Sequence, residues 1–394
     1  MAPAWVNKET VVNRKGKVSH IGMDVHRTFS TVTARDATNR MVWRQRADHR
    51  NRTALREQFK GWGSGIPVIL ESTFGWGWLS DELVTAGLEP HLANSRKVAA
   101  WRDARGLAKS NRIDSDLLSE LWLQQPRWWE VWLAPGEIRD QREWMRYRMS
   151  LVGMQVRLKN RIHAILHRHG IINEFSDLFG TKGRRFLNLL MAQRDARLSE
   201  SGRVSLKGYL QLLDHLRRQI AGVTREIRKQ LKRTPAGQRL MTLPGIGTIL
   251  AYTILAEIGW IRRFRSAKQL VAYSLLAPLA DDSGFEDHQS PKGRRISRIG
   301  RRTLKWAWIE AAHTAIRGGG RCREIYDRVT DGGKRNNGRG CIAVAHQLCR
   351  WGYVMLDKEV DYTEEPPARP GRRPQTQSSR PGTGQPLCPM VAGV

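Results

Sequence analysis

The sequence predicts a mixed α/β domain near the N-terminus, a long helical coiled-coil linker and a mainly α-helical C-terminal domain. Three observations predict it: short β-branched or apolar runs before residue 100, helical periodicity sustained over 137–170 and 204–233, and helix-rich sequence from 236 onward. The boundaries that follow are an N-terminal arm (1–17), an α/β domain (18–136), a helical coiled-coil region (137–235), a second helical domain (236–357) and a tail (358–394).

Residues 18–35 carry Val18, Ile21, Val25, Thr28, Thr31, Val32 and Thr33 in rough alternation, which reads as a strand with a short interruption. Asp36 to Asn39 has turn composition, and Met41 to Gln45 returns as a second strand to complete a hairpin. Ile66 to Glu71 is nearly continuously apolar, as a central strand buried on both faces requires. Gly75 to Leu79 opens a helix, and 91–101 is expected as strand and then loop.

Over 137–170, Leu151, Met154, Leu158, Ile162 and Ile165 recur at three- and four-residue steps and form an apolar stripe. Arg157, Arg161 and Arg168 lie on an adjacent face, either as a solvated face or as a stripe that tracks a nucleic-acid backbone. From 204 to 233, Leu206, Leu213, Ile220 and Ile227 fall seven apart, with Leu210, Leu216, Val223 and Leu231 near the other seam position. Such a seam packs within the chain or pairs with a second subunit. Residues 240–256 carry no charge, but Pro244, Gly245 and Gly247 break the run and Glu257 ends it too early for a membrane span. The tail from about 361, rich in Pro, Gly, Ser, Gln and Arg, is expected to be disordered.

Lysine and arginine total 67 against 37 acidic residues, a net charge of +30. That excess implies a polyanionic partner, DNA or RNA. The charge is spread along the chain rather than gathered in one polybasic helix, which disfavours a membrane surface. No secretory leader is visible, and the four cysteines, Cys322, Cys341, Cys349 and Cys388, form no CxxC pair. Both point to a reducing cytoplasm, with the charge favouring the nucleoid. Cys341, His346 and Cys349 are discounted as a metal set, because on a helix His346 lies about 140° around from Cys341.

Against this basic background three acidic segments stand out: Ile21-Gly-Met-Asp24-Val-His26, Val68-Ile-Leu-Glu71-Ser72 and Asn111-Arg-Ile-Asp114. A carboxylate at the edge of an apolar strand is costly unless its charge is compensated, and a divalent metal is one compensator. Asp24 alone reads equally as a turn residue, and Asn111 with Asp114 as a helix cap with a first-turn acid. Two strand carboxylates and one helix carboxylate converging on a point is how RNase H-shaped polynucleotidyl transferases hold two Mg²⁺ ions, roughly 3.5–4 Å apart.

In the second domain, Leu243-Pro-Gly245-Ile-Gly247 has the form of a helix-hairpin-helix turn, where Gly245 and Gly247 let backbone amides approach a phosphate. A generic interhelical turn looks the same. The run Lys292-Gly-Arg294-Arg295-Ile-Ser-Arg298-Ile-Gly-Arg301-Arg302 is the densest basic segment and is expected to contact phosphate.

IGMDVHR, VILESTFGWGWL and AKSNRIDSDLLSEL resemble the three acidic motifs of the IS110-type transposases. The resemblance continues through RLKNRIHAILHRHGI, TLPGIGTILAYTILAEIG, FRSAKQLVAYSLLAP, DDSG and GRRISRIGRRTLKWAWIEAA, and spans about 18–357. It implies an RNase H/RuvC-like N-terminal domain with an Asp-Glu-Asp-Asp tetrad at Asp24, Glu71, Asn111 and Asp114. It also implies Mg²⁺, DNA recombination, a structured guide (bridge) RNA, and a nucleophilic serine at Ser283 of Asp281-Asp-Ser283-Gly284. That serine would form a phosphoserine link to DNA, and its hydroxyl needs activation. Ser274, within the apolar VAYSLLAP, reads as packing.

Asn111 departs from the family pattern, which has aspartate there. Its amide oxygen can ligate a hard cation but adds no charge. Asp116 is a poor substitute, lying about 140° off that face. A DNA invertase of the same superfamily, a water-using junction nuclease and an inactive nucleic-acid-binding remnant are the alternative readings. Synapsis of two DNA ends leads one to expect a dimer or tetramer. Asn111→Asp is expected to tighten Mg²⁺ binding about tenfold, measured by calorimetry, because ligand charge sets affinity for hard cations.

Overall fold

The computed structural model describes residues 18–278, 300 and 302–364, apart from Gly61, Gln193 and Arg194. The chain forms two compact units whose boundary falls between Val223 and Thr224.

The first unit begins with β1 (His20–Val25), β2 (Phe29–Arg35) and β3 (Met41–Asp48). The expected single interrupted strand over 18–35 is thus two strands. His26 N–H donates to the Phe29 carbonyl at 2.9 Å, and this tight turn folds β2 back antiparallel on β1. The turn at Asp36 forms as expected, with its carboxylate accepting from the amides of Thr38 and Arg40, both at 2.9 Å.

Next come α1 (Arg52–Phe59), β4 (Pro67–Glu71), α2 (Trp76–Thr85), β5 (Glu89–Ala93), α3 (Ser95–Ala104), α4 (Asn111–Leu121) and β6 (Glu130–Val131). The segment after β5, expected as loop, is helical because Asn94 caps α3 by accepting from the amides of Arg96 and Lys97.

The sheet order is β3-β2-β1-β4-β5-β6, with β1, β4 and β5 parallel and β2, β3 and β6 attached antiparallel. This mixed sheet with helices on both faces is consistent with an RNase H-like domain. One face buries Ile21, Met23, Val68 and Leu70 against Leu55 and Phe59 of α1 and Leu79 and Leu83 of α2. The other buries Ile69 and Ala93 with Val98 of α3 and Leu118 and Leu121 of α4. The unbroken run Val68–Leu70 is the sequence record of that two-sided burial.

The helical remainder of this unit comprises α5 (Gly136–Arg168), α6 (Thr181–Ala192) and most of α7 (Glu200–Lys232). Leu206, Leu210 and Leu213 of the heptad seam are buried with Ile162 and Ile165 of α5 and Leu187 and Leu190 of α6. The N-terminal half of the seam is therefore covered within the chain. Met154, placed in the apolar stripe of α5, is instead 41% exposed.

The second unit contains the end of α7, α8 (Pro235–Thr242), α9 (Thr248–Ile258), α10 (Ala267–Tyr273), α11 (Arg302–Gly318), α12 (Gly320–Thr330) and α13 (Asn337–Lys358). The uncharged stretch 240–256 is the end of α8, a turn and most of α9. Among the described residues no helix is long and apolar enough to cross a membrane. Alanines 307, 311 and 312 of α11 and Val344, Ala345 and Leu348 of α13 are buried, and a side chain at Gly352 would meet Trp308 at 2.8 Å.

Leu213 is wholly buried. Leu213→Ala is expected to cost about 2–5 kcal/mol of first-unit stability, read as a lower denaturation midpoint with unchanged slope.

Candidate active site

Strand register does the first part of site assembly. In the parallel pair β1–β4, Gly22 lies opposite Ile69 and Met23 opposite Leu70. One step further on, Asp24 and Glu71 stand side by side at the ends of neighbouring strands. Side chains alternate along a strand, so both share the face of Gly22 and Ile69, the face on which α4 packs.

The second part is the approach of α4. A β-carbon on Gly22 would lie 2.1 Å from the Ser119 amide nitrogen and 2.3 Å from the Ser115 carbonyl oxygen. The helix backbone therefore rests directly on the strand, and only glycine admits it. Small hydroxyl side chains complete the contact: Ser115 Oγ pairs with Thr33 Oγ1 at 3.0 Å, and Arg35 Nε donates to Ser119 Oγ at 2.7 Å. Arg44 and Arg35 both hold Asp116, which gives that carboxylate a structural task away from the acidic site.

Ser110 caps α4 by accepting from the Ile113 amide at 3.2 Å, which sets Asn111 as the first helical residue and Asp114 in the first turn. Asn111 and Asp114 are three apart and share a face; Asn111 is exposed and Asp114 half-buried.

Electrostatics tie the three acids together. Burial raises the Asp24 carboxyl above the usual carboxylate range, the nearby His26 opposes the rise, and the charges of Asp114 and Glu71 add to it. His26 Nε2 donates to Asp24 Oδ2 at 3.0 Å. Arg102 Nη1 donates to Asp114 Oδ1 at 3.4 Å, while its Nη2 holds Asp103 at 3.1 Å. Among the described residues no trio of His, Cys, Asp or Glu is drawn close enough to enclose an ion. The carboxylates of Asp24, Glu71 and Asp114 are nevertheless the hard oxygen donors that Mg²⁺ would take, and burial and the two acidic neighbours disfavour the uncompensated Asp24 charge.

The other expected residues are scattered. Arg157 and Arg161 are exposed on α5, at the edge of a groove of about 370 Å³ floored by Leu158, Leu212 and Leu216, and Arg168 is exposed at the helix end. Gly245, at φ 78°, is packed against α11, where a β-carbon would meet the Ala311 carbonyl oxygen at 2.1 Å; its glycine answers to helix packing. Gly247 opens α9 with clear space around it. Arg302 is the exposed first residue of α11. Ser283, Lys292, Arg294, Arg295, Arg298 and Arg301 lie outside the described residues.

Ser274 is buried with its hydroxyl 3.6 Å from Cys349 Sγ, in keeping with a packing role. Cys341 neighbours His313 Nε2 at 3.6 Å rather than His346, and burial pushes the Cys349 thiol up to about 12.

Two family models match in order along the chain, the IS110-type DEDD transposase over residues 21–171 and the transposase IS116/IS110/IS902 family over 237–327, together more than half of it. The chain belongs to the IS110 family of transposases. Among its relatives, y4rJ of Sinorhizobium fredii, which carries a transposase name, is 27% identical over 320 residues, 73% of this chain and 76% of that one. A protein of Pseudomonas aeruginosa named as a family 20 transposase is 26% identical over 219 residues, 55% of this chain and 63% of that one. The transposase for insertion sequence element IS1111A of Coxiella burnetii is 24% identical over 235 residues, 57% and 61% of the two chains. The chain thus spans three quarters of the first relative's length and under two thirds of the other two.

His26, Arg102, Gly22, Ser115 and Ser119 were not singled out from sequence. A glycine inside a strand and serines four apart on a facing helix are the signals that mark such a contact.

The raised Asp24 pKa carries a sign. Between the unfolded value, about 3.9, and the higher folded one, the unfolded chain loses its proton first, so stability falls as pH rises through that window and stays lower above it. Asp24→Asn is therefore expected to raise the melting temperature at pH 7, with the gain vanishing below about pH 4. Mg²⁺ should stabilise the wild type and not this variant.

Proposed function

We propose that this IS110-family protein is a DNA transposase that cuts and rejoins strands at the end of a mobile element, with Asp24, Glu71 and Asp114 holding Mg²⁺ and Asn111 adding a neutral oxygen. The observation that carries this reading is the register that sets Asp24 beside Glu71, with α4 delivering Asp114 to the same face. Bound there, Mg²⁺ would polarise phosphate oxygens and orient the scissile bond.

The chain's own groups divide the work. The Asp24, Glu71 and Asp114 carboxylates would hold the cation from three separate elements, β1, β4 and α4. His26 holds Asp24 in a single orientation through its hydrogen bond. Arg102 offsets part of the charge at Asp114.

Ser283 is the nucleophile in this reading, attacking phosphorus to form a serine phosphodiester while the displaced sugar oxygen leaves with a proton. Support comes from the family match and from the Ser-Gly motif. The net charge of +30 suits a nucleic-acid substrate and a guide RNA read from the element. Exposed Arg157, Arg161, Gly247 and Arg302 would contribute backbone contacts without sequence readout.

A denaturing gel with element-junction DNA, flanking RNA and Mg²⁺ tests it. Wild type should give a covalent protein–DNA adduct and Ser283→Ala none. Asp24→Asn should slow cleavage by about a thousandfold, the loss of several kcal/mol of charge stabilisation. Cleavage by Ser283→Ala at the wild-type rate would move the assignment to a water-using nuclease.

A further inference from the structure

Three residues beyond Glu71, Phe74 is fully exposed, at 102% of its reference area. It forgoes the burial that core phenylalanines such as Phe59 obtain. The surrounding backbone is firmly tied, so the exposure belongs to a built feature. The Thr73 amide donates to the Glu71 carbonyl at 2.8 Å, reversing the chain within three residues. Gly75 follows at φ 90°, a left-handed conformation that glycine accepts without strain, and starts α2. Trp76 and Trp78 then turn inward onto the apolar core, with Trp78 edge-on to His49 at 5.1 Å between ring centres and the Arg139 guanidinium 5.5 Å from the Trp76 ring. In the short segment from Glu71 to the two anchored tryptophans, Phe74 is the aromatic residue left exposed.

We propose that Phe74 is a base-stacking residue that receives an unstacked nucleobase next to the phosphate held at the acidic site. This rests on the reading given under Proposed function. Three residues of chain span at most about 10 Å, so a nucleotide whose phosphate meets Glu71 has a base within reach of the ring. An aromatic face suits every base and imposes no sequence, as a recombinase directed by other means requires. The excess of positive charge draws the strand in, and the ring holds a splayed base once duplex stacking is broken near the cut. Phe74 positions substrate and performs no chemistry.

The test uses the full-length protein without divalent metal and a DNA duplex carrying one unpaired 2-aminopurine. Affinity is read by anisotropy and stacking by quenching of the 2-aminopurine emission. Phe74→Ala should bind roughly 5- to 100-fold more weakly and lose the quenching. Phe74→Trp should keep both, and both variants should melt with wild type because the side chain packs on nothing. Equal affinity and quenching in Phe74→Ala, while wild type still cleaves DNA in Mg²⁺, overturns the stacking role and leaves the transposase reading standing. A wild-type protein that binds no DNA overturns both. A Phe74→Ala variant that keeps DNA quenching but loses a protein partner points to an apolar protein contact and also overturns the proposal.

Discussion

The contact of the α4 backbone with Gly22 is the constraint on which the rest of the first unit depends. Because no β-carbon intervenes, the helix lies on β1 at a distance that any other residue would forbid. That closeness lets Ser115 and Ser119 reach Thr33 and Arg35, and it delivers Asp114 to Asp24. Hydrogen bonds from short hydroxyls then fix the helix against sliding. An apolar interface of larger side chains would hold α4 farther off and leave the acids apart.

The same closeness has an energetic consequence. Three carboxylates share one face at the ends of β1 and β4 and the start of α4, and Asp24 is also buried, so its ionised form is disfavoured. The fold carries this cost in a protein whose overall charge is strongly positive. His26 and Arg102 soften it locally without neutralising the cluster. Destabilisation concentrated at a site and supported by a rigid sheet is the usual relation between function and stability. Asn111, uncharged and exposed at the helix start, adds nothing to that repulsion.

The second unit repeats the theme of glycine as a spacer with a different outcome. Gly245 and Gly247 look equivalent in sequence, yet Gly245 is pressed against α11 while Gly247 faces open space at the start of α9. In α7 the regular seven-residue spacing is used on its N-terminal side to bury Leu206, Leu210 and Leu213 against α5 and α6. Periodicity specifies that a face is apolar; which neighbour covers it depends on the helices that happen to be adjacent.

Much was legible from sequence alone: the mixed α/β domain followed by helices, the central strand at Val68–Leu70, the long helices α5 and α7, the acidic motifs at Asp24, Glu71 and Asp114, and the family. These are local patterns, in which side-chain period and residue type report burial and chemistry directly. Separating β1 from β2 and making α3 a helix required a tight turn at His26 and a cap at Asn94, whose effects are set by hydrogen bonds that composition does not encode. Only the tertiary structure decided that Asp24 and Glu71 stand in register, that Gly22 admits α4, that His26 and Arg102 engage the acids, and that Phe74 projects beside them. The register and the Gly22 contact join residues far apart in the chain, and the shorter-range features turn on side-chain geometry, so packing distance rather than sequence spacing determines what meets.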